Sequence, residues 1–508
     1  MSAAFNLKLK KFAYSNTKEG AMNIDNLPTF ILSTKENSHN ISRWQKSGKI
    51  RKITANIYTS NIDDELDKFI ERRILELVSL VYPGAMIADR SAFDLQPTTT
   101  NELFIISDKA KVSTFGKYTV YPRKGAAPLE SDLPFLNNLY QPSVARKFLE
   151  NVKTVRRRTS RLPRYLTKRE LEERLDAYLR TYGETAFNRL RDEMRTIAPV
   201  LNLEKEFETI NDIMGAMLGT REAPLQSDTA IARSSGNAFD PKREILFTRL
   251  YEALSSQAPL FRKTDNNTSP VLCFYEAYFS NYIEGTKFTV EEAHDIVFNN
   301  KIPEHRPDDA HDIAGTYNVL ADLTEMKKTP STFEDFLALL CHRHKIIMDG
   351  RPGVEPGCFK TKCNQAGTTL FVTPELIEGT LRKGFELYKR LDNAFNRAVF
   401  MMFMVSEVHP FNDGNGRLAR IMMNAELVAA AEQRIIIPTV YRQNYTQSLK
   451  ALSHNQITDA FIKTLDFAQK YTAMIDWSDL SRATDMLCAT NAFIENSDDE
   501  TARLRLPV

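Results

Sequence analysis

The spacing of apolar side chains changes along the 508-residue chain. In the front part, residues 64–81 carry apolar side chains three and four positions apart, which predicts an amphipathic helix. Residues 103–106 and 118–121 are short runs of apolar, β-branched and aromatic side chains, which are typical of strands. The front of the chain is therefore predicted to be a mixed α+β region.

A helix start and a shift in composition separate this region from the rest. Thr167 and Glu170 have the Thr-x-x-Glu spacing of a capping box, and Gly183 suits the end of the helix that follows. Residues 222–242 are rich in small and polar side chains and lack apolar periodicity. The main linker is therefore predicted at residues 222–242.

Behind the linker the pattern is mostly helical. Apolar side chains recur at helical spacing in four segments, residues 376–391, 393–405, 417–431 and 460–475. Residues 351–372 contain glycines, a proline and a short extended run, which predicts a loop or a small hairpin. The back of the chain is therefore predicted to be all-α, with one β-like insertion.

Composition narrows the class of protein. Apolar residues make up 42% and charged residues 26%, both ordinary for a globular protein. No stretch reaches 18 apolar residues, so we expect no membrane span, no membrane partner and a cytoplasmic location. The five cysteines form no C-x-x-C pair, which indicates reduced thiols. The run Cys341–His344 lacks a second ligand pair at zinc spacing, so it is interpreted as part of a helix.

Charge is distributed unevenly along the chain, although the net charge is only +2. Residues 1–170 hold 29 Lys and Arg against 17 Asp and Glu, whereas the remainder holds 38 against 48. A basic front part on an acidic body indicates a polyanionic partner for the front part.

The stretch HPFNDGNGRLAR, residues 409–420, carries the clearest chemistry. An apolar helix leads into its histidine, and the titration range of histidine suits a general base. Gly414 and Gly416 allow backbone N–H groups to approach an anion, and a helix that begins near Arg417 adds donors at its positive end. Asp413 stands where a carboxylate can hold Mg²⁺ beside phosphate oxygens. The stretch therefore indicates a site for a polyphosphate.

The same stretch resembles the Fic family signature, H-x-F-x-[D/E]-G-N-G-R-x-x-R, with every specified position filled. The resemblance covers roughly residues 240–475 and implies an all-α Fic fold with a β-hairpin flap, in which ATP donates AMP to a protein hydroxyl. It implies that His409 is the base, that Asp413 holds Mg²⁺ and that Arg420 binds the terminal phosphate. The residues implied to cradle the phosphates are Gly414, Asn415, Gly416 and Arg417, and Phe411 is implied to pack inward.

Two further parts of the site follow from the resemblance. The segment 357–372, with Phe359 and Lys360, resembles the flap that holds a target peptide in an extended form. An ordinary surface hairpin is the alternative. The candidates for an adenine pocket, with core packing as an equal alternative, are Tyr441, Asn444 and Tyr445.

Residues 280–285 match the family's inhibitory motif, [S/T]-x-x-x-E-[G/N]. Ser280 and Glu284 share a helix face, and Gly285 suits the end of that helix. The resemblance implies that Glu284 pairs with Arg420 and so keeps the γ-phosphate of ATP from that arginine. A solvated glutamate on a capped helix is the alternative.

Residues 41–59 predict a helix, a turn, a basic strand and a return strand. This order resembles the winged helix-turn-helix module of AbiEi-type antitoxins and related transcriptional regulators, and the region to about residue 220 fits the same pattern loosely. The implied partner is double-stranded DNA, and a structural or target-recruiting domain is the alternative. The candidate DNA-binding residues are Arg43, Lys46, Lys49, Arg51 and Lys52.

The predicted fold class is therefore multidomain, with an N-terminal α+β part and a C-terminal all-α Fic fold. The predicted parts are a winged helix-turn-helix at 1–62, an α+β regulatory domain at 63–221, the linker at 222–242, the Fic domain at 243–475 with an inhibitory helix near 273–285, and a helical tail at 476–508. The predicted function is an auto-inhibited protein adenylyltransferase that acts on a Ser, Thr or Tyr hydroxyl.

Three alternatives stay open. The first is a DNA-binding regulator that uses the Fic site as a nucleotide sensor. The second is transfer of another nucleoside monophosphate, and the third is removal of AMP from a target. The target protein, which includes the chain itself among the candidates, and assembly into a homo-oligomer are left open as well.

Overall fold

A computed structural model describes residues 27–153, 163–258, 260–495 and 502–507. Its contacts divide the chain into two compact units, residues 1–234 and residues 235–508. This division falls inside the segment 222–242, where the sequence predicts the linker. In the described ranges, no helix is long and apolar enough to cross a membrane.

The first unit begins with a small antiparallel sheet and one helix. Its elements are β1 (Phe30–Leu32), α1 (Ser38–Lys46), β2 (Arg51–Thr54) and β3 (Ile57–Thr59), and the strand order is β1-β3-β2. A small core forms between the helix and the sheet from Ile31, Ile41, Trp44 and Ile50. The predicted order of helix, turn, strand and strand is confirmed. Residues 1–26 of the predicted helix-turn-helix lie outside the described residues.

A six-stranded mixed sheet follows, with the strand order β6-β7-β5-β4-β9-β8. Its elements are α2 (Leu66–Val81), β4 (Met86–Ile87), α3 (Ser91–Asp94), β5 (Glu102–Ile106), β6 (Ser113–Phe115), β7 (Tyr118–Arg123), β8 (Leu133–Phe135) and β9 (Leu139–Gln141). All five residues of β5 are buried, as expected for a strand at the centre of a sheet. The helix predicted at 64–81 and the strands predicted near 103 and 118 are confirmed.

Four helices complete the first unit: α4 (Val144–Glu150), α5 (Lys168–Leu201), α6 (Glu204–Met217) and α7 (Asp228–Ser234). The capping box of Thr167 and Glu170 is present at the start of α5. Gly183 has φ 78 and ψ 173, so it breaks the helical geometry. The chain resumes a helix directly after Gly183 and continues to Leu201, so this glycine makes a kink and not the predicted end.

The segment 222–242 is not irregular throughout, because α7 lies inside it and packs on α5 and α6. Glu172 Oε2 accepts the N–H groups of Gln226 (2.7 Å) and Ser227 (2.6 Å). Arg233 Nε pairs with Asp176 Oδ1 at 2.6 Å. These polar anchors come from α5, and they explain why apolar periodicity did not reveal the helix.

The second unit is built from helices and one hairpin. Its helices are α8 (Pro241–Ser255), α9 (Pro270–Ile283), α10 (Val290–Asn299), α11 (Pro307–Ala321), α12 (Leu323–Met326), α13 (Phe333–Ile347), α14 (Ile377–Tyr388), α15 (Ala394–Val408), α16 (Asn415–Ala429), α17 (Arg442–Asn455), α18 (Thr458–Met474) and α19 (Leu480–Ala489). The hairpin pairs β10 (Gln365–Ala366) with β11 (Thr369–Leu370). The predicted all-α fold with a hairpin is confirmed.

Helices α15 and α16 form the centre of this unit. Every residue of α15 is buried apart from Arg397, and α16 is buried almost as completely. A helix that is apolar on all faces belongs inside a bundle, and the sequence NRAVFMMFMVSEV has this character. The loop that joins the two helices is residues 409–414, the front of the signature stretch. Of the tail predicted at 476–508, α19 is helical, whereas residues 490–495 and 502–507 are not.

Candidate active site

The loop between α15 and α16, which we call the motif loop, begins at His409. This residue has φ 54, the left-handed conformation that often ends a helix. Gly414 has φ 73 and stands directly before Asn415, the first residue of α16. The first N–H groups of a helix lack helical partners, so the motif loop offers backbone donors and a positive dipole end to an anion.

Side chains fix the shape of the motif loop from within. Asn415 Nδ2 donates to the Phe411 carbonyl and Asn415 Oδ1 accepts the Phe411 N–H, both at 2.9 Å. Phe411 is fully buried, and its ring stacks on His344 with centroids 3.8 Å apart. The expected inward packing of Phe411 is confirmed. Asn415 therefore uses both ends of its side-chain amide to close the loop.

His344, on α13, supports the motif loop. The Gly357 N–H donates to His344 Nδ1 at 2.9 Å, which assigns the proton to Nε2. His344 Nε2 then donates to the Asp413 carbonyl at 3.0 Å. Burial lowers the pKa of His344 to about 4, so the ring is neutral at pH 7, as this pattern requires. The helical interpretation of Cys341–His344 is confirmed, but nothing in the spacing showed that His344 holds the loop.

The segment before the hairpin bonds three successive carbonyls of the motif loop. Lys360 Nζ donates to the His409 carbonyl at 2.7 Å, and the Lys360 N–H donates to the Pro410 carbonyl at 2.9 Å. Asn364 Nδ2 donates to the Phe411 carbonyl at 3.0 Å. Lys360 Nζ also donates to Asn364 Oδ1 at 2.6 Å, so the two side chains act together.

Phe359 and Lys360, predicted as target contacts on the flap, lie before the hairpin and face the motif loop. Lys360 is 2% exposed, and Phe359 packs on Phe411 with ring centroids 5.2 Å apart. The His409 carbonyl and Asn364 Oδ1 accept hydrogen bonds from the buried ammonium, which is why a lysine is tolerated there. Phe371 follows the hairpin in the chain, and its ring stacks on the His409 ring with centroids 3.7 Å apart and an interplanar angle of 4°.

The surroundings of His409 assign its tautomer and charge. Nδ1 lies 3.2 Å from the Ser406 carbonyl, which can only accept, so Nδ1 carries the proton and Nε2 is the nitrogen that can accept one. Burial lowers the pKa of His409 to about 4, and the charge of Lys360 acts in the same direction. The Ser406 carbonyl, Glu284 and Asp413 act in the opposite direction. The imidazole is therefore neutral at pH 7, the state that a general base needs.

The carboxylate of Glu284 lies over the first turn of α16. Its Oε1 is 2.7 Å from Arg420 Nη2, and the Arg420 guanidinium also donates to Ser280 Oγ (2.9 Å) and to the Ser280 carbonyl (2.8 Å). A Cβ built on Gly416 would stand 2.1 Å from the same oxygen. Glu284 caps α9, and Gly285 with φ 99 turns the chain away. The ion pair implied by the resemblance is present, and its carboxylate lies against Gly416 at the start of α16.

Arg417 points into a buried acidic group. Its Nη1 lies 2.5 Å from Asp312 Oδ2, and Asp312, on α11, is 1% exposed. Asp312 also pairs with Arg351 Nη2 at 2.5 Å. The sequence interpretation placed Arg417 beside the phosphates; in this structure its guanidinium pairs with Asp312, and its Nη2 lies 3.8 Å from Asp413 Oδ2. The spacing shows that Arg417 and Arg420 share a helix face, but it does not show that α11 supplies a carboxylate.

Asp413 is the carboxylate of the motif loop. Its Oδ1 accepts the Gly414 N–H at 2.7 Å, and its side chain is 50% exposed. Its Oδ2 lies 3.8 Å from Arg417 Nη2 and 4.0 Å from Arg351 Nη1. Over the residues that the structure describes, no cluster of three or more His, Cys, Asp and Glu could hold a metal ion. The single carboxylate of Asp413 fits Mg²⁺, which commonly takes one or two carboxylates and completes its shell with phosphates and water.

The three adenine-pocket candidates lie in different surroundings. Tyr445 is 3% exposed, and its hydroxyl donates to Met402 Sδ at 3.9 Å. Tyr441 is half-buried against Phe467, with ring centroids 5.3 Å apart, and Asn444 is exposed. All three residues stay candidates, with core packing as an equal alternative for the buried Tyr445, whose hydroxyl lies beside Arg420.

The candidate DNA-binding residues lie on the small sheet and helix of the first unit. Four are exposed: Arg43, Lys46, Lys49 and Lys52. Arg51 is half-buried, and its Nη2 donates to Asn61 Oδ1 at 3.2 Å. No Asp or Glu occurs in residues 37–61, so the exposed face of α1 and the β2–β3 hairpin is uniformly basic.

Comparison with known proteins finds a family that part of the second unit resembles. Residues 337–427 match the model of the Fic/DOC family. The chain is 27% identical over 247 residues to the protein adenylyltransferase Fic of Drosophila persimilis, and the match covers 46% of each chain. The protein of the same name from Drosophila erecta is 28% identical over 232 residues, which cover 43% of this chain and 45% of that protein. The chain thus spans about half the length of the curated relatives it matches.

Solved structures give matches of lower identity. Fic-1 from C. elegans is 17% identical with a TM-score of 0.35, and the match covers 63% of this chain and 99% of that one.

Proposed function

We propose that the chain transfers AMP from ATP to a protein hydroxyl and that Glu284 restrains this transfer, because residues 337–427 match the model of the Fic/DOC family. The observation that carries the proposal is the anion site at the start of α16, which lies next to Arg420 and which the carboxylate of Glu284 fills. Relatives named protein adenylyltransferase support AMP as the transferred group.

The phosphates of ATP would take the place of the Glu284 carboxylate. The N–H groups of Gly414, Asn415 and Gly416 would hold them, because residue 416 lacks a Cβ and leaves room for an anion against the backbone. When Glu284 leaves, Arg420 becomes available to the terminal phosphate. Asp413 would hold Mg²⁺, which neutralises charge on the phosphate oxygens when it is bound.

The step is an in-line displacement at the α-phosphorus. His409 Nε2 takes the proton of the target hydroxyl while the hydroxyl oxygen forms a bond to the α-phosphorus. The bond from the α-phosphorus to the oxygen that bridges to the β-phosphate breaks, and pyrophosphate leaves. The protein contributes chiefly by positioning the groups and by stabilising charge.

Intact-mass measurement tests the proposal. Wild-type chain, Glu284→Gly and His409→Ala would each be incubated with Mg²⁺ and a panel of ATP, GTP, CTP and UTP, alone and with lysate proteins. We expect Glu284→Gly to add the mass of one AMP per modified hydroxyl. Preferential addition of UMP or another nucleoside monophosphate would show that a nucleotide other than ATP is the donor. No addition in any sample would contradict the proposal.

The pH dependence of the rate should report the depressed pKa of His409. A base must be neutral, so transfer is retained above its pKa and lost as the pH falls through it. We expect the acid limb of kcat/KM for Glu284→Gly near pH 4, and not near 6.5, the ordinary pKa of histidine. Circular dichroism at each pH would show that the fold persists. An acid limb near 6.5 with an intact fold would contradict this assignment.

Lys360→Met is expected to slow transfer, because the motif loop loses a hydrogen bond that holds it in place. The substitution keeps the length and the apolar stem but leaves the His409 carbonyl without its buried donor, a loss worth about 1–3 kcal/mol. In the Glu284→Gly background, kcat should fall by about tenfold while KM for ATP stays unchanged. Lys362→Met, at an exposed lysine two positions away, is the matched control. Equal rates for the two variants would contradict the role given to Lys360.

A second candidate function belongs to the first unit, where the exposed face of α1 and the β2–β3 hairpin carries basic side chains and no Asp or Glu. We propose that this face binds duplex DNA, since a helix with an adjacent hairpin suits a groove and the neighbouring phosphates. The uniform positive charge of residues 37–61 favours this partner over an acidic protein of irregular shape.

Salt dependence tests the DNA proposal. We expect the full chain to bind a labelled duplex at low salt and to lose affinity steeply as salt rises. Lys46→Ala and Lys52→Ala should each reduce the slope of log K against log salt by about one, whereas Lys205→Ala, an exposed lysine on α6, should leave it unchanged. Absence of binding at low salt, or a slope that neither Lys46→Ala nor Lys52→Ala changes, would contradict the proposal.

A further inference from the structure

Helix α9, which ends at Glu284, contacts different parts of the unit with two of its faces. Glu276, Ser280 and Glu284 are four residues apart and share one face. Glu276 pairs with Arg434 and accepts from Asn424 of α16, whereas Ser280 and Glu284 contact Arg420. This face, which we call the site face, is the one that places the carboxylate over the motif loop.

The other face, which we call the tail face, carries four aromatic residues: Tyr275, Tyr278, Phe279 and Tyr282. Their spacing of three and four places them on one stripe, roughly 150° around the helix from the site face at 3.6 residues per turn. The C-terminal part of the chain, residues 477–495, contacts this stripe. One helix therefore lies between the catalytic loop and the C-terminal residues.

The contacts of residues 477–495 advance along α9 in register. The carbonyl of Trp477 accepts from Ser269, the N-cap of α9, and Thr484 bonds the Tyr275 hydroxyl at 2.6 Å. Phe493 stacks on Phe279, with ring centroids 5.4 Å apart. The same ring also lies 6.1 Å from Tyr275 and 6.0 Å from Tyr278.

The last contact reaches the turn that holds the inhibitory carboxylate. Glu495 accepts a hydrogen bond from the hydroxyl of Tyr282, and it pairs with Lys287 Nζ at 2.7 Å. Tyr282 and Lys287 stand two residues before and three residues after Glu284, so Glu495 ties together both sides of the turn. Movement of the turn that carries Glu284 away from Arg420 would therefore strain or break the contacts of Glu495.

We propose that residues 493–495 form a latch that keeps Glu284 on Arg420, and that loss of this latch activates the site; the inference rests on the proposed function. Residues 477–495 are buried where they meet the start of α9 and partly exposed where they meet its end, which suits a latch. Trp477 is 1% exposed and belongs to the core, whereas the side chains of Lys287 and Glu495 are 52% and 29% exposed. The outer contacts at 493–495 can thus be lost while α9 stays anchored at its start.

Basal AMP transfer by full-length variants tests the latch. Phe493→Ala and Glu495→Ala should each raise the rate by about three- to tenfold, the range expected from one aromatic contact or one partly exposed ion pair. Lys287→Ala breaks the same ion pair at an exposed residue, so it should act in the same direction without disturbing the core. Glu386→Ala, at an exposed glutamate on α14, is the control and should leave the rate unchanged.

Combination with Glu284→Gly separates the latch from other effects. If the latch acts through Glu284, the three substitutions should have no further effect on transfer by Glu284→Gly. Amide exchange at residues 280–286 should rise in the three single variants and stay low in Glu386→Ala. Unchanged transfer in the single variants beside an active Glu284→Gly would overturn the latch alone, as would an equal increase in the Glu284→Gly background. An inactive Glu284→Gly would overturn the proposed function and the latch together.

Discussion

Replacement of Glu284 by glycine is expected to raise AMP transfer by about 30- to 150-fold over the wild-type chain. The carboxylate contacts Arg420 at 2.7 Å and lies over Gly416, so it occupies both the guanidinium and the helix start that the phosphates of ATP need. Breaking a buried pair is worth ~3–5 kcal/mol. The side chain of Glu284 is 33% exposed, so we discount this range to about 2–3 kcal/mol for solvent screening.

Two matched variants separate the carboxylate from the backbone. Glu284→Ala removes the same charge without the extra freedom of glycine, so it should activate to the same extent. Glu284→Gln keeps the shape and a weaker hydrogen bond to Arg420, so it should give an intermediate rate. Initial rates of label transfer from α-labelled ATP measure all three. Activation by glycine alone would assign the effect to chain flexibility and would contradict the account of the ion pair.

Substitution of His409 is expected to lower the rate of transfer, the opposite of Glu284→Gly, and by a larger factor. In the Glu284→Gly background, His409→Ala should lower kcat by about 10²–10⁴-fold, the usual contribution of a positioned general base. His409→Asn is the sharper variant, because His409 has φ 54 and asparagine adopts this conformation readily. Asparagine thus removes the base while the backbone of the motif loop is kept.

ATP affinity is the control for the histidine variants. Neither His409→Asn nor His409→Ala should change the Kd of ATP by more than about twofold, since the phosphates are held by backbone N–H groups and Arg420. His305→Asn, at an exposed histidine, should leave both kcat and Kd unchanged. Transfer by His409→Asn at the rate of its parent would remove His409 from the mechanism.

The sequence predicted the elements whose signals are local. The apolar helix before His409, the glycines of the motif loop and the capping box at Thr167 each follow from neighbouring residues, and all are present. The pairing of Glu284 with Arg420 spans 136 positions, and it was predicted only through the resemblance to a family motif. Spacing alone would have left Glu284 as a solvated side chain.

The side chains that hold the motif loop could not be predicted in this way. His344, Lys360 and Asn364 reach the loop from 47 to 69 positions away, and no spacing rule connects them to it. Asp312 is supplied by α11, so the direction of Arg417 depends on tertiary packing. Lys360 was assigned to the target through the resemblance of segment 357–372 to a flap, and the burial of its side chain against the His409 carbonyl and Asn364 is visible only in the fold.

One measurement tests the central claim most directly: incubation of Glu284→Gly, alone and with heat-treated lysate proteins, with Mg²⁺ and ATP labelled at either the α- or the γ-phosphate, followed by separation of protein from small molecules. The account predicts that the α-label remains on protein and that the γ-label appears in pyrophosphate. Retention of the γ-label on protein would show phosphoryl transfer instead, and absence of both labels from protein would show that this site does not modify proteins. Either result would contradict the claim that His409 and the motif loop transfer AMP.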